Sequence, residues 1–332
     1  MLARLFFLFV FSSYLLALPP VDIVYTWVDG SDPAWQVLKK SEYQKYCQNP
    51  NLGSDATAQR RFRSRDELKY SLRSILQFAP WINHIYIVTC DQKPKWLKPH
   101  PKITLVSHKT IFSHPSHLPT FNSMAIECHL HRIPELNEHY IYFNDDVFLG
   151  RKTDFYTFFT KNKKMKVFLS SKKLPTDEPE DGEEGYTAAK RNTANILNKF
   201  YGEETRYALA HTPFPFLKSV VTAIEKKFPT IFTHVASHKF RSLEDFTITN
   251  GLIPYTALYY GNAEKGIVSK KLVHYGYDLE EDIESLENLT YKRPVFFCIE
   301  DSNESESVQS SKNLHTFFEE YFPTPAPWEE IE

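Results

Sequence analysis

Glycine, cysteine and net charge are all scarce in this 332-residue chain, and each shortage argues against a class of protein. Only 10 residues are glycine against 21 proline, which indicates a packed body with rigid loops and not a disordered chain. The 39 basic and 41 acidic residues leave a formal net charge of -2, so the composition gives no sign of nucleic-acid binding. The four cysteines have no Cys-x-x-Cys spacing, which argues against a cysteine-based zinc site.

Long apolar runs are also missing, with one exception at the N-terminus. Residues 1–18 contain Arg4 and then an almost unbroken apolar stretch, which has the layout of a secretory signal peptide. An uncleaved signal anchor is the alternative, although the stretch is short for a membrane-spanning helix. Either interpretation predicts that residues 19–332 lie in the lumen of the ER or Golgi, or outside the cell.

These oxidising surroundings leave the state of the cysteines open. Four thiols could pair as two disulfides in any of three ways. Cys90 and Cys128 fall within apolar strand and helix patterns, where a buried free thiol is an equally good interpretation.

Strand-like and helix-like segments alternate over residues 21–150. Strands are predicted at 21–28, 84–89, 102–107 and 140–143, and helices at 66–78 and 121–132. This alternation is typical of a Rossmann-like layered α/β fold with a largely parallel sheet. A helical C-terminal half follows, with helices predicted at 186–200, 216–228, 244–260 and 311–321 and a strand at 295–299. Residues 161–186 are predicted to form a charged mobile loop, either a solvated linker or a substrate lid.

Two adjacent carboxylates end the fourth predicted strand. Asp145 and Asp146 follow an aromatic run, where negative charges at the end of a buried strand are costly unless a cation is present. Because ligands gather at the carboxyl ends of parallel strands, Asp29 after the first strand is expected nearby. Carboxylate oxygens suit Mg²⁺ or Mn²⁺, either of which we predict as the cofactor. An Asx-type turn that merely ends the strand is the alternative.

Four further residues could complete a phosphate-binding site. His211 lies in a predicted loop, where a histidine can serve as a general base. Arg241 sits in a small basic group that could bind a phosphate through two N–H groups. Arg73 belongs to a helix predicted to begin with a capping box at residues 64–67, and Trp27 could stack on a nucleobase. Each also has an ordinary interpretation as a surface or core residue.

Four sequence blocks connect these residues to a known family. They run over residues 21–33 (VDIVYTWVDGSDP), 67–146 (ending in YFNDD), 192–241 (containing AHTP and HKFR) and 297–325. Taken in this order, they resemble the conserved regions of the Stealth proteins, a family of sugar-1-phosphate transferases. The resemblance covers nearly all of residues 19–332, which it implies form a single catalytic domain.

The resemblance also implies which residues work together. It assigns to the active site Asp22, Asp145, Asp146, His211 and Arg241. Asp145 and Asp146 are the expected metal ligands. The residues expected to bind substrate are Trp27, Asp29, Arg73, Asn122 and Asn192.

The expected reaction follows from known members of the family, which include the GlcNAc-1-phosphotransferase of lysosomal enzymes and bacterial capsule polymerases. The resemblance implies transfer of a sugar 1-phosphate, with GlcNAc as the expected sugar, from a UDP-sugar to a hydroxyl of a glycan or glycoprotein. Attack on the β-phosphorus would release UMP, with His211 acting as a base or as a nucleophile. A metal-dependent glycosyltransferase that releases UDP is one alternative. A catalytically silent lumenal binding protein is the other.

Overall fold

The structure, a computed structural model, describes residues 18–301 and 308–330, so the signal segment predicted at 1–18 lies outside it apart from Leu18. The strands in these ranges are β1 (Val21–Thr26), β2 (His84–Thr89), β3 (Ile103–Ser107), β4 (His139–Asn144), β5 (Val147–Leu149), β6 (Met165–Lys173), β7 (Tyr207–Leu209), β8 (Phe214–Leu217), β9 (Ala263–Gly266), β10 (Lys270–Tyr275) and β11 (Phe296–Asp301). The α-helices are α1 (Pro33–Tyr46), α2 (Glu67–Phe78), α3 (His108–Ile111), α4 (Ser123–Glu127), α5 (Phe155–Phe158), α6 (Gly185–Tyr201), α7 (Lys218–Lys227), α8 (Pro229–Ser237), α9 (Ile253–Tyr259), α10 (Leu279–Lys292) and α11 (Val308–Tyr321). Among the described residues, no helix combines the length and the apolar character needed to cross a bilayer.

A five-stranded sheet in the order β3-β2-β1-β4-β8 forms the centre of the fold. β1 pairs in parallel with β2 and β4, β2 pairs in parallel with β3, and β8 closes one edge antiparallel to β4. The first five residues of β1 are buried, as expected for a central parallel strand that is covered on both faces. The predicted α/β fold with a largely parallel sheet is confirmed.

Most strands of two further small sheets lie in the C-terminal half, together with helices. β10, β11 and β5 form one sheet, and β7, β6 and β9 form the other. The helices predicted at 186–200 and 311–321 are confirmed as α6 and α11, each slightly longer than expected. The helix predicted at 216–228 begins only at Lys218, because the residues before it join the central sheet as β8.

One predicted loop and two predicted helices differ from the structure. The charged segment 161–186 contains β6, so only residues 174–184 form an irregular connection before α6. The helices predicted at 121–132 and 244–260 are much shorter, as α4 and α9. Apolar spacing alone cannot distinguish a short buried helix from turns packed against the core, which explains the excess helix.

An aromatic cluster fixes the C-terminal elements against the N-terminal half. The ring of Phe148 on β5 stacks on Phe297 of β11 with centroids 5.0 Å apart, and lies 4.9 Å from the ring of Phe318 on α11. All three side chains are fully buried, which is worth about 1.5–3 kcal/mol for each. The cluster therefore holds β5 against β11. The turn before β5 and the end of β11 both carry carboxylates that line the same cleft.

All four cysteines are free thiols. Cys47 is exposed, Cys90 is partly buried, and Cys128 and Cys298 are buried. Burial raises the pKa of the Cys128 and Cys298 thiols, so both are expected to be unreactive. The structure therefore agrees with the thiol interpretation of Cys90 and Cys128.

Candidate active site

A cleft of about 310 Å³ opens at the carboxyl ends of β1 and β4. Its volume is sufficient for a small molecule, and this edge is where open α/β sheets bind their ligands. Five of the predicted residues line the cleft: Trp27, Asp145, Asp146, His211 and Arg241. They meet although they are far apart in sequence, because β1 and β4 are neighbours and the segments after β7 and α8 reach the same edge.

Asp145 and Asp146 form the acidic wall of this cleft, in the turn between β4 and β5. Burial raises the pKa of both carboxyls. The charge of Asp146 raises the pKa of Asp145 further, and the charge of Glu300 raises that of Asp146 further. Oδ2 of Asp146 lies 3.4 Å from the thiol of Cys298, which donates to it. Oδ1 of Asp146 is buried and has no hydrogen-bond partner within residues 18–301 and 308–330. Such an unpaired oxygen beside further carboxylates suits a hard divalent cation.

Glu67 adds a carboxylate that sequence reasoning did not propose for the site. The predicted capping box does not form. The residue before α2 is Asp66, whose backbone adopts the left-handed conformation with φ 64° and whose side chain makes no capping hydrogen bond. Instead, the carboxylate of Glu67 accepts the backbone N–H of Arg65 at 2.5 Å. Burial, reinforced by Asp145, raises the pKa of Glu67 to about 7. The acidic wall of the cleft therefore contains Glu67, Asp145, Asp146 and Glu300.

Arg241 and its partners form a basic group in the same cleft. Nη1 of Arg241 donates to Oδ2 of Asp55 at 2.6 Å, and the guanidinium carbon lies 5.4 Å from the centre of the Tyr186 ring. Asp55 also accepts the backbone N–H of Gly185 at 2.9 Å. Burial would raise the pKa of Asp55, but Arg241 and Arg61 outweigh it and hold that pKa below its usual value. Nε of Arg241 is buried without a partner among the described residues, so this group can still donate to an anion.

His211 lies in the segment between β7 and β8. The preceding residue, Ala210, donates its backbone N–H to the carbonyl of Phe168 at 2.8 Å, which ties this segment to β6. Burial lowers the pKa of His211, and the opposite effect of Glu300 does not cancel it. The lowered pKa favours the neutral imidazole near neutral pH, the state in which it can accept a proton.

Four aromatic side chains line another part of the cleft: Trp27, Trp35, Phe62 and Phe121. The ring of Trp35 lies 5.2 Å from Phe62 and 5.4 Å from Phe121. Phe121 in turn stacks on Phe240 at 5.1 Å. This packing makes the wall rigid, and a flat apolar surface of this kind suits a nucleobase or a sugar ring.

Two predicted aspartates lie outside the cleft. Asp22 is fully buried near the amino end of β1, where it accepts bonds from Asn83 Nδ2 at 2.8 Å and from the backbone and side-chain nitrogens of Asn137 at 2.8 and 2.9 Å. The cleft is at the other end of this strand, so the structure does not bring Asp22 into it. Asp29 accepts the backbone N–H and the hydroxyl of Ser31 at 2.9 and 2.6 Å, which stabilises the turn after β1.

Arg73 is also outside the cleft, contrary to its predicted contact with substrate. It is 4% exposed and donates to Glu329 through Nε and Nη2, both at 2.8 Å. Its Nη1 donates to Glu319 and to the carbonyl of Phe322, both at 2.9 Å. The guanidinium is therefore fully used to attach the C-terminal segment to α2.

We expect Arg73→Ala to lower the free energy of unfolding by about 3–5 kcal/mol, because the buried Glu329 would lose its main charged partner and keep only Lys69 at 4.0 Å. Urea denaturation measures this loss. Arg73→Met combined with Glu329→Leu should recover most of the stability, since the double variant leaves no buried charge at this pair. An unchanged urea midpoint together with a raised KM for the donor would contradict this structural role.

Asn122 and Asn192 lie behind the cleft, where both contact Asp245. Asn122 Nδ2 donates to Oδ2 of Asp245 at 2.9 Å, and Asn192 Nδ2 donates to the Asp245 backbone carbonyl at 2.9 Å. The same carboxylate accepts the backbone N–H of Ser242 at 2.9 Å. Because Arg241 directly precedes Ser242, these two asparagines position the segment that carries Arg241.

Three more polar residues that sequence reasoning missed line the cleft. Asn250 lies in a π-helical turn, and its Nδ2 donates to the hydroxyl of Tyr186 at 2.7 Å. Glu127 accepts a hydrogen bond from the hydroxyl of Thr249 in the same turn. No sequence pattern marks a π-helical turn. By contrast, the rule that located Asp145 could have found Glu300, which also lies at the end of a strand.

Burial raises the pKa of Glu127 from 4.5 to about 7, and this predicts a pH-dependent stability. Because the folded-state pKa of Glu127 is raised, its contribution to the free energy of unfolding is fully present below about pH 4.5. This contribution is lost as the pH rises through about 7. Between pH 5 and pH 8, wild type should lose roughly 1–3 kcal/mol more unfolding free energy than Glu127→Gln, which resembles the protonated form. Urea denaturation of both proteins across this range measures the difference. Parallel curves would contradict the expectation.

Comparison with known proteins identifies the family of this chain. Stealth protein conserved regions match the chain in the predicted order, with region 1 over residues 19–41, region 2 over 61–167, region 3 over 210–256 and region 4 over 287–332. The chain belongs to the Stealth family, which confirms the resemblance seen in the sequence.

Two similar relatives are named exopolysaccharide phosphotransferases. One, from Streptomyces coelicolor, is 40% identical over 319 residues, covering 93% of this chain and 51% of the relative. Another, CpsY from Mycobacterium tuberculosis, is 37% identical over 317 residues, covering 94% of this chain and 58% of the relative. The chain thus spans little more than half the length of these relatives.

Among solved structures, the galactosyltransferase LgtC in complex with donor and acceptor sugar analogs gives a TM-score of 0.42 at 8% identity. It covers 91% of this chain and 95% of that one. The WbbM bifunctional glycosyltransferase gives a TM-score of 0.41 at 11% identity, covering 94% of this chain and 51% of that one. These likenesses are too weak to assign any residue of the cleft.

Proposed function

We propose that the protein transfers a sugar 1-phosphate from a UDP-sugar, with GlcNAc as the expected sugar, to a hydroxyl of a glycan or glycoprotein. The observation that carries this proposal is the meeting of three groups in one cleft. These are the carboxylates of Asp145 and Asp146, the guanidinium of Arg241 and the imidazole of His211, whose pKa is lowered by burial. Among the described residues, Oδ1 of Asp146 and Nε of Arg241 have no hydrogen-bond partner. Membership of the Stealth family and the names of the relatives support transfer of a sugar phosphate.

Asp145 and Asp146 would hold Mg²⁺ or Mn²⁺, with Glu67 and Glu300 adding negative charge around it. When bound, such an ion offsets the charge of the diphosphate and of the leaving nucleotide. Oδ1 of Asp146, which accepts no hydrogen bond from the part of the chain that the structure describes, and the raised pKa values of Asp145 and Asp146 fit such a cation.

The remaining residues position the substrates and move the proton. The aromatic wall would hold the base of the UDP-sugar, and Arg241 would donate to a non-bridging oxygen of its β-phosphate. His211 would take the proton of the acceptor hydroxyl as the oxygen of that hydroxyl bonds to the β-phosphorus. The bond from this phosphorus to the bridging oxygen then breaks, which releases UMP and leaves a sugar-phosphate diester. Positioning and charge stabilisation suffice for such chemistry.

The direct test uses UDP-GlcNAc labelled with ³²P in its β-phosphate, purified protein and a panel of glycan and glycoprotein acceptors. Transfer of the label to an acceptor, in a bond that resists phosphomonoesterase, is the expected result. Transfer of the sugar without the label would identify a glycosyltransferase and overturn the proposal.

A further inference from the structure

A second group of metal-ligating side chains lies away from the carboxylates of the cleft. His234 on α8, His238 at the end of this helix and Glu244 each offer a ligand atom, and these atoms lie within 4.8 Å of one another. The two imidazole rings have centroids 4.5 Å apart. The spacing of four residues places both histidines on one face of the helix, as in known zinc-binding helices.

The chemistry of this group differs from that of the acidic wall. Two imidazoles and one carboxylate favour borderline ions such as Zn²⁺ or Co²⁺ over Mg²⁺. Ligand atoms around tetrahedral zinc are about 3.3 Å apart, given zinc–nitrogen bonds of about 2.0–2.1 Å. Because His234 and His238 are only partly buried and Glu244 is exposed, small side-chain rotations can close the remaining distance.

A buried carboxylate orients one of the ligands. Nδ1 of His238 lies 2.7 Å from Oδ1 of Asp245, which is fully buried. This leaves Nε2 of His238 as the nitrogen available to a metal. A carboxylate that fixes the far nitrogen of a histidine is the usual support of a histidine metal ligand. The C-terminal end of α8 also carries the partial negative charge that favours a cation.

We propose that His234, His238 and Glu244 bind a Zn²⁺-class ion and thereby hold residues 238–245 in place. The fourth coordination position would be taken by water, as in open zinc sites. One residue links this site to the segment of Arg241. The carboxylate of Asp245 accepts hydrogen bonds from Nδ1 of His238 and from the backbone N–H of Ser242, the residue after Arg241. Metal binding at this site therefore restrains the segment that positions Arg241.

Titration of the whole protein with Co²⁺ and Zn²⁺ tests the proposal without depending on the proposed reaction. Co²⁺ should give the visible absorption of a tetrahedral or five-coordinate site, and Zn²⁺ should abolish it while Mg²⁺ does not. Saturating Zn²⁺ should raise the melting temperature by roughly 3 to 6 °C. Hydrogen exchange in residues 238–245 should slow on zinc binding.

Three variants make the test specific. His234→Ala and Glu244→Gln should each lose most of the absorption and of the melting shift, and the exposed position of Glu244 ensures that at least this variant folds. Asp146→Asn should keep both signals, because its carboxylate belongs to the cleft. His114→Ala is the matched control, since His114 and His117 form a similar pair, with centroids 5.1 Å apart, that is not part of this group. Equal zinc responses in wild type and both ligand variants, or no visible absorption with Co²⁺, would overturn the proposal.

Discussion

Asp146→Asn is expected to lower kcat by a factor of roughly 10³, because charge stabilisation of this kind supplies a large part of the rate of phosphate transfer. The same substitution should raise the free energy of unfolding in metal-free buffer at pH 8 by about 1–3 kcal/mol. The reason is that burial and like charges raise the pKa of this carboxyl, so its ionised form is a cost to the fold. Loss of activity with a gain of stability indicates a group that is arranged to meet a cation.

Steady-state kinetics and urea denaturation measure the two effects of Asp146→Asn. Glu287→Gln, on the exposed face of α10, is the matched control and should leave both quantities unchanged. Chelation of divalent metal should reduce the activity of wild type to a similar degree, with recovery on addition of Mg²⁺ or Mn²⁺. Full activity in Asp146→Asn would show that this carboxylate has no part in the reaction.

His211→Ala is expected to lower kcat by about 10²–10⁴, the usual contribution of a general base. The fold should be retained, because His211 packs in a connecting segment outside the sheets. Since burial lowers the pKa of His211, the acid limb of the wild-type kcat/KM profile should have its midpoint below pH 6.5, and this limb should be absent from the variant.

The exposed His114 provides a control for the loss of an imidazole, since His114→Ala should leave the rate and the pH profile unchanged. A rate for His211→Ala within a factor of a few of wild type would exclude this residue as the base. Accumulation of a phosphorylated protein in wild type would assign it the role of nucleophile instead.

The positions of Asp145 and Asp146 could be predicted because they depend on local patterns. A buried strand followed by two carboxylates places those groups at the edge of a parallel sheet, whichever helices surround it. The same rule, applied to β11, would have added Glu300. Family resemblance then located His211 and Arg241, whose arrival in the cleft depends on long-range packing that no short pattern encodes.

The structure places Arg73 and Asp22 outside the cleft to which sequence reasoning assigned them. A group of arginines around a helix suggests a phosphate contact, but Arg73 lies in the middle of α2. The partners that use its donors, Glu319 and Glu329, lie more than 240 residues away in sequence. Asp22 is the second residue of the 6-residue strand β1, at the end away from the cleft, and it contacts Asn83 and Asn137. The rule of strand ends would not have chosen it, and only the family resemblance assigned it to the active site. Both cases depend on tertiary partners that a single sequence does not identify.

The nucleotide released from UDP-GlcNAc in the presence of an acceptor tests the central claim most directly. Chromatography of the products distinguishes UMP from UDP. Release of UMP in step with formation of the sugar-phosphate diester is the predicted result, because the bond broken lies between the β-phosphorus and the bridging oxygen. Release of UDP would contradict the account, since it means that the sugar leaves its phosphate behind.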